Sequence, residues 1–443
     1  MEEPAISPVF ESLLILWHFV RTRWFTQMQT RAVLEARQQK RMHRFLQDAI
    51  RNSPHYQTRH PRLGDFPLMS KEDFLAHFPS LNRQHITLEE ATVIALRAER
   101  ERDFVPKLPD GVCVGLSSGT SGNRNVFLVG REDRCRWAGQ MFARMLSSES
   151  LRHLLNPLRE PLRIAFFLRA SSNLYTTLSS RRVQLAYYDL TQPFGTLTTT
   201  LEQQNPHILV APATVLAELA AHPPARLRPT QIISVAEVLD TRDRESIEQT
   251  FHVRVSEIYQ ASEGFLGATC EHGTMHLNED ALHIEQHWLD DAHTRFHPII
   301  TDFSRHTQWF VRYQLNDVLC PTDMPCPCGR VTRSLQRIEG RAEEILWARE
   351  PKGQLQTVFP ESLRQALYSI PQPLGNYRIE QHADCWNIQL QHDDPTLEQT
   401  VRDAITLLLK RLQLTTPELR FLSWTSQPPA EKMKRIRCIT RPT

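Results

Sequence analysis

Short apolar runs that alternate with helical segments, between residues 163 and 259, constrain the fold of this chain more than any other feature. Strands are predicted at 164–168, 183–188, 208–210, 231–235 and 253–259. Helices are predicted at 196–203, 214–221 and 242–250. This alternation indicates an α/β domain with a largely parallel sheet, whose ligands bind beyond the carboxyl ends of the strands.

Two polar motifs lie where such strands end. Ser234-Val235-Ala236-Glu237 closes the fourth predicted strand, and Tyr259-Gln260-Ala261-Ser262-Glu263 closes the fifth. Their position makes both of them candidate ligand-binding segments.

A stretch rich in hydroxyl groups and glycine, from Gly115 to Asn125, lies between two short apolar runs that predict a β-hairpin. Glycine lets the backbone approach a ligand closely, and successive N–H groups can bind an anion, so the stretch suits a triphosphate. It is not a Walker A loop, because a β-like run follows it instead of a helix. A Ser/Gly hairpin loop without a ligand is the alternative. The candidate phosphate-binding residues are Ser117, Ser118, Gly119, Thr120, Ser121 and Gly122.

Three cysteines and a histidine indicate a structural zinc site. Cys270 and His276 lie within one hairpin's reach, and Cys326 and Cys328 lie on a short turn. Three thiolates and one imidazole are a common tetrahedral Zn²⁺ ligand set, with no open position for catalysis. Buried free thiols beside surface histidines are the alternative, and Cys320 or His272 could replace a ligand.

Composition and the N-terminal segment predict the cellular compartment and the partners of the protein. The net charge is +2, which favours neither nucleic acid nor an anionic membrane. The first apolar run, 13–20, is too short to span a bilayer and lacks the preceding positive charges of a secretory signal. We therefore expect a cytoplasmic protein with reduced or metal-bound cysteines and no integral membrane segment. Its N-terminal helices could pair in a homodimer.

The motifs together resemble the adenylate-forming superfamily of acyl- and aryl-CoA synthetases, in order from Ser117 to Lys432. Within it the chain is most similar to the phenylacetate–CoA ligase branch and to putative adenylate-forming enzymes related to a deazaflavin-coenzyme synthetase. The resemblance implies an α/β fold. A large N-terminal adenylate-forming domain with parallel-rich sheets and helices would carry a smaller, mobile α+β C-terminal lid domain.

The resemblance also implies roles for residues of the nucleotide site. The stretch Ser117–Gly122 would wrap the β- and γ-phosphates of ATP, with Arg124 where the family usually has lysine. The backbone at Ala236 and Glu237 would border the adenine. In the second motif, Tyr259 would stack on adenine beside Gln260. Ser262 replaces the family's threonine, and Glu263 would bind Mg²⁺. Finally, Asp317 would bind the ribose and Arg341 the nucleotide.

The lid assignments rest on the same resemblance. Lys432 would be the catalytic lysine, with Lys434 as its rival and Glu431 in place of the usual glycine. The hinge aspartate falls at Glu343. The expected domains are an N-terminal helical segment, 1–60, packed on the body; an ATP- and acid-binding adenylation domain, 61–342, with its zinc subregion near 270–330; and the lid, 343–443.

The expected function is ATP-dependent adenylation of a carboxylic acid, followed by transfer of the acyl group to coenzyme A or to the pantetheine of an acyl-carrier protein. The expected cofactors are ATP, Mg²⁺ and structural Zn²⁺, with CoA as a co-substrate, and nucleic acid is not an expected partner. One alternative is an adenylyltransferase that places AMP on a cofactor hydroxyl. Another is a nucleotide-binding homologue without catalytic activity.

Overall fold

The described polypeptide divides into two units. The computed structural model describes residues 8–26, 30–57, 59–101, 108–116, 125–168, 180–190, 192–372, 374–392, 394–425 and 434–442. Unit 1 comprises Met1–Trp288, Pro298–Leu315 and Pro321–Gln336. Unit 2 comprises Leu289–His297, Asn316–Cys320 and Arg337–Thr443.

Unit 1 contains most of the helices and the parallel strands. Its helices are α1 (Pro8–Val20), α2 (Arg31–Asn52), α3 (Lys71–Ala76), α4 (Leu88–Glu101), α5 (Arg131–Met145), α6 (Ser148–Leu155), α7 (Phe194–Gln204), α8 (Ala213–Ala221) and α9 (Thr241–Phe251). Its strands are β1 (Cys113–Leu116), β2 (Val126–Val129), β3 (Leu162–Leu168), β4 (Val183–Asp189), β5 (Ile208–Pro212), β6 (Gln231–Val235), β7 (Val255–Ala261), β8 (Gly264–Thr269), β9 (Met275–Leu277), β10 (His283–Trp288) and β12 (Tyr313–Gln314). The division between the units falls within β11 (Phe296–Thr301), β13 (Asp317–Thr322) and β14 (Ser334–Arg341).

Five strands of unit 1 form the predicted parallel sheet. They lie in the order β4-β3-β5-β6-β7, and each neighbouring pair is parallel. Side chains alternate between the two faces, so Ile164 and Phe166 pack with α5 while Ala165 and Phe167 pack with α7 and α8. Burial on both faces explains why the strands are continuous apolar runs in the sequence. The strands β8 and β9 then extend the sheet in antiparallel fashion.

The five predicted strands and three predicted helices of this region are confirmed. The boundaries differ by at most two residues, as at the last strand, which begins at Val255 instead of residue 253. The preceding helix, α9, is followed by a capping residue, His252, in the left-handed conformation, with φ of 55°. This C-terminal turn uses the residues that the apolar pattern had assigned to the strand.

The N-terminal helices pack on the rest of unit 1. The helix α1 lies against α5 at Gly139, where a Cβ atom would come within 2.5 Å of the Ile15 carbonyl oxygen, so only glycine permits this approach. The side chain of Gln38, in α2, donates hydrogen bonds of 3.0 Å to the carbonyls of Glu279 and Leu282. Buried polar contacts therefore fix α2 to the segment that follows β9.

Unit 2 is built on a four-stranded sheet covered by two helices. Its remaining strands are β15 (Leu346–Arg349), β16 (Leu355–Val358), β17 (Tyr377–His382), β18 (Cys385–Leu390), β19 (Glu418–Leu422) and β20 (Ile436–Thr440), and its helices are α10 (Pro360–Tyr368) and α11 (Pro395–Arg411). The order of the sheet is β19-β18-β17-β20. The apolar face of α11, through Val401 and Ile405, packs with Trp386 and Tyr377 in a buried core.

Candidate active site and metal centre

A buried carboxylate marks the turn between β7 and β8. Glu263 is 6% exposed, and its Oε1 atom accepts a hydrogen bond of 2.7 Å from the side-chain amide of Asn125. The Ser262 hydroxyl donates to its Oε2 atom at 3.1 Å. Tyr259, four residues earlier on β7, is also buried. The turn therefore presents one oriented acid whose two oxygens both have hydrogen-bond donors.

Asn125 connects this turn to the stretch rich in hydroxyl groups and glycine. The predicted hairpin is confirmed, because β1 and β2 are antiparallel and Leu116 pairs with Val126. Ser117, Ser118, Gly119, Thr120, Ser121, Gly122 and Arg124 lie outside the described residues. Asn125, which directly follows them, is 3% exposed and hydrogen-bonds to Glu263. The end of the stretch is therefore anchored beside the predicted magnesium ligand.

Two further side chains, Tyr313 and Arg305, lie near Glu263, and neither was predicted from the sequence to have a role there. The Tyr313 hydroxyl accepts a hydrogen bond of 3.4 Å from Asn125, and its pKa is raised by burial and by the charge of Glu263. Arg305 donates to the carbonyl oxygens of Ser262, at 2.7 Å, and of Leu128, at 3.1 Å. Burial lowers the pKa of Arg305, and the charges of Asp302, Asp133 and Glu263 oppose that effect. The guanidinium group thus fixes the backbone of the turn.

The segment predicted to border adenine has an unusual backbone. Ala236 follows β6 with φ of 67°, in the left-handed region that alanine rarely adopts. The carboxylate of Glu237 accepts hydrogen bonds from the backbone N–H of Thr214, at 3.1 Å, and from its hydroxyl, at 2.7 Å. Thr214 lies in the first turn of α8, so Glu237 caps this helix, a structural role that its place in the motif did not indicate. Gln260, on β7, lines a cavity beside the turn.

Asp317 and Arg341 belong to unit 2, where they are neighbours. The Arg341 Nε atom lies 3.6 Å from the Asp317 Oδ1 atom, and its Nη1 atom lies 4.0 Å from Glu343 Oε1. Glu343 also pairs with the ammonium group of Lys434. Burial alone would raise the pKa of Glu343, but the hydrogen bond and charge of Lys434 lower it overall. Four charged groups of alternating sign therefore extend along the predicted hinge.

Lys432, the predicted catalytic lysine, lies outside the described residues. Its rival Lys434 is described, and its ion pair with Glu343 occupies it. The choice between these two lysines, like the hinge at residue 343, stays a prediction.

The four predicted zinc ligands of unit 1 come together. The potential ligand atoms of Cys270, His276, Cys326 and Cys328 all lie within 4.8 Å of one another. Cys270 Sγ is 3.5 Å from Cys326 Sγ, and Cys328 Sγ is 3.3 Å from His276 Nε2. Tetrahedral Zn²⁺ with Zn–S bonds of about 2.3 Å would separate two sulfur ligands by about 3.8 Å. The donor set and its spacing therefore fit zinc.

Local structure explains this convergence. Cys270 opens a tight hairpin, where its N–H donates to the Thr274 carbonyl at 2.9 Å, and His276 follows on β9. His276 pairs with Ser334 on β14, which brings the preceding Cys326–Cys328 turn alongside. The His276 Nδ1 atom lies 3.4 Å from the Thr332 carbonyl, which orients the ring with Nε2 toward the thiols. Neither Cys320 nor His272 belongs to the group.

No family model matches this sequence, and a search of curated proteins finds no match. Solved structures do match. A 2-hydroxyisobutyryl-CoA ligase in its postadenylation state, in complex with an acyl-AMP (R3-HIB-AMP), aligns with a TM-score of 0.63 and 16% identity, over 99% of this chain and 94% of that chain.

Two other ligases align over less of the chain. Fatty acyl-adenylate ligases from E. coli and L. pneumophila give a TM-score of 0.53 at 12% identity, over 74% of this chain and 69% of theirs. An anthranilate CoA ligase in complex with anthranoyl-AMP gives 0.51 at 14% identity, over 73% and 65%.

The fold is therefore the one shared by adenylate-forming ligases, with a large N-terminal part and a smaller C-terminal part. At these identities the likeness establishes the fold, while the activity rests on the residues of the site. The described helices include none that is long and apolar enough to cross a membrane.

Proposed function

We propose that this protein is an ATP-dependent ligase that adenylates a carboxylic acid and then transfers the acyl group to a thiol. The hydrogen bond between Asn125 and Glu263 carries the proposal. It anchors the end of the predicted phosphate-binding stretch beside the predicted magnesium ligand. Backbone N–H groups that bind phosphate and a carboxylate that binds Mg²⁺ are two elements that suit a bound Mg·ATP.

Glu263 is suited to Mg²⁺. The cation takes hard oxygen ligands and usually needs only one or two carboxylates beside phosphate oxygens and water. Glu263 is 6% exposed, and an ionised carboxylate at that depth is stable only when it is paired or coordinates a metal. Its described hydrogen-bond donors, Asn125 and Ser262, are neutral side chains that hold the carboxylate in one orientation. We assign Glu263 to the magnesium and Tyr259 to the adenine.

Asp317 and Arg341 would bind the ribose end of the nucleotide. Asp317 can accept charge-assisted hydrogen bonds from two vicinal hydroxyls, and Arg341 stands beside it with its side chain 45% exposed. In the first half-reaction a carboxylate oxygen attacks the α-phosphorus, and pyrophosphate leaves. In the second, a thiolate attacks the acyl carbon, and AMP leaves. Lys432 would stabilise the charge that develops in the first step.

Coenzyme A or a carrier-protein pantetheine is the proposed thiol. The 2-hydroxyisobutyryl-CoA ligase has been solved in complex with its acyl-AMP and CoA, with 99% of this chain aligned at a TM-score of 0.57. By analogy with that complex, we propose that this chain carries out both half-reactions.

Zinc at Cys270, His276, Cys326 and Cys328 is the proposed structural metal. These four residues supply a complete tetrahedral set, so we assign the ion no catalytic step. Its contribution would be to cross-link the hairpin at Cys270 to the turn at Cys326 within unit 1.

Exchange of labelled pyrophosphate into ATP tests the adenylation step. The exchange should depend on an added carboxylic acid and should fall by at least about 100-fold in Lys432→Ala, because a charge-stabilising group is lost. Lys352→Ala, at an exposed turn of unit 2, is the matched control and should exchange like the wild type. Unchanged exchange in Lys432→Ala, with loss in Lys434→Ala, would transfer the catalytic role to Lys434. An absence of exchange with every acid would contradict the proposal.

A further inference from the structure

A small cavity in unit 1 adjoins the Glu263 turn. Its volume is about 60 Å³, and one wall is the segment 260–262 with Gly264. Aromatic side chains form a second wall, through Phe127, Trp137 and Phe265. At the opposite end the lining is polar, because Asp302, Ser304 and Arg305 face the cavity. The cavity therefore adjoins the position where the acyl-adenylate would form.

Its volume argues against large acyl groups. An apolar cavity of about 150 Å³ is what an engineered protein needs to bind benzene. This cavity, bounded by the described residues, has less than half of that volume. An aromatic ring or a long alkyl chain would require the walls to move, whereas a side chain of a few atoms fits. The volume thus favours a short-chain acid.

Asp302 gives the cavity a carboxylate oxygen that can accept a hydrogen bond from a ligand. The residue is 2% exposed, and its Oδ1 atom accepts hydrogen bonds from the N–H of Ser304, at 2.8 Å, and from its hydroxyl, at 2.6 Å. No described residue donates a hydrogen bond to Oδ2. That atom lies only 2.9 Å from where a Cβ on Gly264 would stand, so glycine leaves the oxygen room at this wall. An acceptor that faces a cavity can accept a hydrogen bond from a ligand that carries a donor, whereas a ligand without a donor leaves it unpaired.

The charges around the cavity favour the same kind of ligand. Asp133 also faces it, but this carboxylate already accepts hydrogen bonds from the backbone N–H groups of His306 and Thr307. The hydrogen bonds of Arg305 go to the carbonyls of Ser262 and Leu128. Burial raises the pKa of Asp302, while the charge of Arg305 opposes that rise. Of the two carboxylates that line the cavity, Asp302 is therefore the one with an oxygen to which no described residue donates.

We infer that this cavity is the side-chain pocket for a short carboxylic acid that carries a hydroxyl or amino group, and that this group donates to Asp302. The inference rests on the proposed adenylation and specifies its substrate class. The aromatic wall contacts the carbon skeleton, and Asp302 selects the substituent.

Matched acids test the assignment through pyrophosphate exchange. Three- to five-carbon acids are compared with their hydroxy and amino derivatives on the same skeleton, and with benzoate and a long-chain acid. The wild type should prefer a donor-bearing acid over its unsubstituted parent by about tenfold or more in kcat/KM, the effect of one hydrogen bond to a charged group. Whether the hydroxy or the amino series is preferred identifies the donor.

Two variants separate the roles of Asp302 and the cavity volume. Asp302→Asn keeps the size and the bonds to Ser304, so it should lose most of that preference while the parent acid is used as before. Asp403→Asn, at an exposed position of α11, is the matched control and should keep the preference. Trp137→Ala, which enlarges the cavity, should admit benzoate.

The possible failures are distinguishable. Wild-type exchange that favours benzoate or the long-chain acid would overturn the assignment and leave the adenylation intact. Equal use of donor-bearing and parent acids, unchanged in Asp302→Asn, would mean that the cavity holds only water and would also overturn it. Exchange with none of the acids would contradict the proposed adenylation itself, and the assignment with it.

Discussion

Replacement of one predicted zinc ligand should destabilise unit 1, whereas replacement of a comparable cysteine elsewhere should not. The ion would join His276 on β9 to Cys326, which lies 50 residues later. A cross-link that closes a loop of about 50 residues lowers the entropy of the unfolded chain. This stabilises the folded state by about 4 kcal/mol at 25 °C. For a unit of this size, that loss corresponds to a decrease in Tm of about 5–10 °C.

The test compares Cys326→Ser with Cys385→Ser by thermal unfolding and elemental analysis. Both cysteines are half-buried, and Cys385 lies on β18 of unit 2, outside the cluster. The wild type and Cys385→Ser should each contain about one zinc per chain. Cys326→Ser should lose the zinc and melt earlier, and a strong chelator should bring the wild type to the same Tm. A wild type without zinc, or two variants with the same Tm, would refute the cross-link.

Three further predictions concern other parts of unit 1. Glu263→Gln should keep the Tm within a few degrees, because the amide oxygen can still accept a hydrogen bond from Asn125. The rate of acid-dependent pyrophosphate exchange should nevertheless fall by at least about 100-fold. Glu245→Gln, exposed on α9, is the control, and equal exchange in both variants would contradict the magnesium role. Ala236→Gly should raise the free energy of unfolding by about 1 kcal/mol in urea titrations, since glycine adopts φ of 67° without strain, and an unchanged or lower value would show that Ala236 is not strained. Burial and neighbouring arginine charges lower the pKa of His18 from 6.5 to about 4, so the unfolded chain binds the proton first as pH falls through this window. The free energy of unfolding should therefore fall by up to about 3 kcal/mol between these pH values, and His18→Leu should lose that part of the pH dependence. Parallel stability–pH profiles of the two proteins would refute this.

The strands of the parallel sheet were predictable because each is buried on both faces, which gives a continuous apolar run. The side chains of Ile164 to Phe167 point alternately to the two faces of the sheet, and all four are hydrophobic. The hairpin around Leu116 and Val126 was predictable from two apolar runs that flank a Gly-rich stretch. The position where β7 begins was not, since it depends on how His252 caps α9.

The candidate site was predictable as motifs but not as contacts. Glu263 meets Asn125 across 138 residues, and no local pattern encodes that distance in sequence. Arg305 and Asp302 follow the apolar strand β11 as an ordinary polar segment, and only packing shows that both are buried beside the Glu263 turn. The candidate zinc ligands are an exception, because cysteines and a histidine in one hairpin and one short turn predict a metal site before their distances are known.

The most direct measurement of the central claim is a product analysis with ATP labelled at the α-phosphate and the best acid of the panel. Without a thiol, the label should appear in an acyl-adenylate, with pyrophosphate released in equal amount. On addition of coenzyme A or a pantetheine carrier, the acyl-adenylate should disappear, with AMP and a thioester formed one for one. Label that is instead retained on a cofactor hydroxyl, with no thioester, would contradict the account.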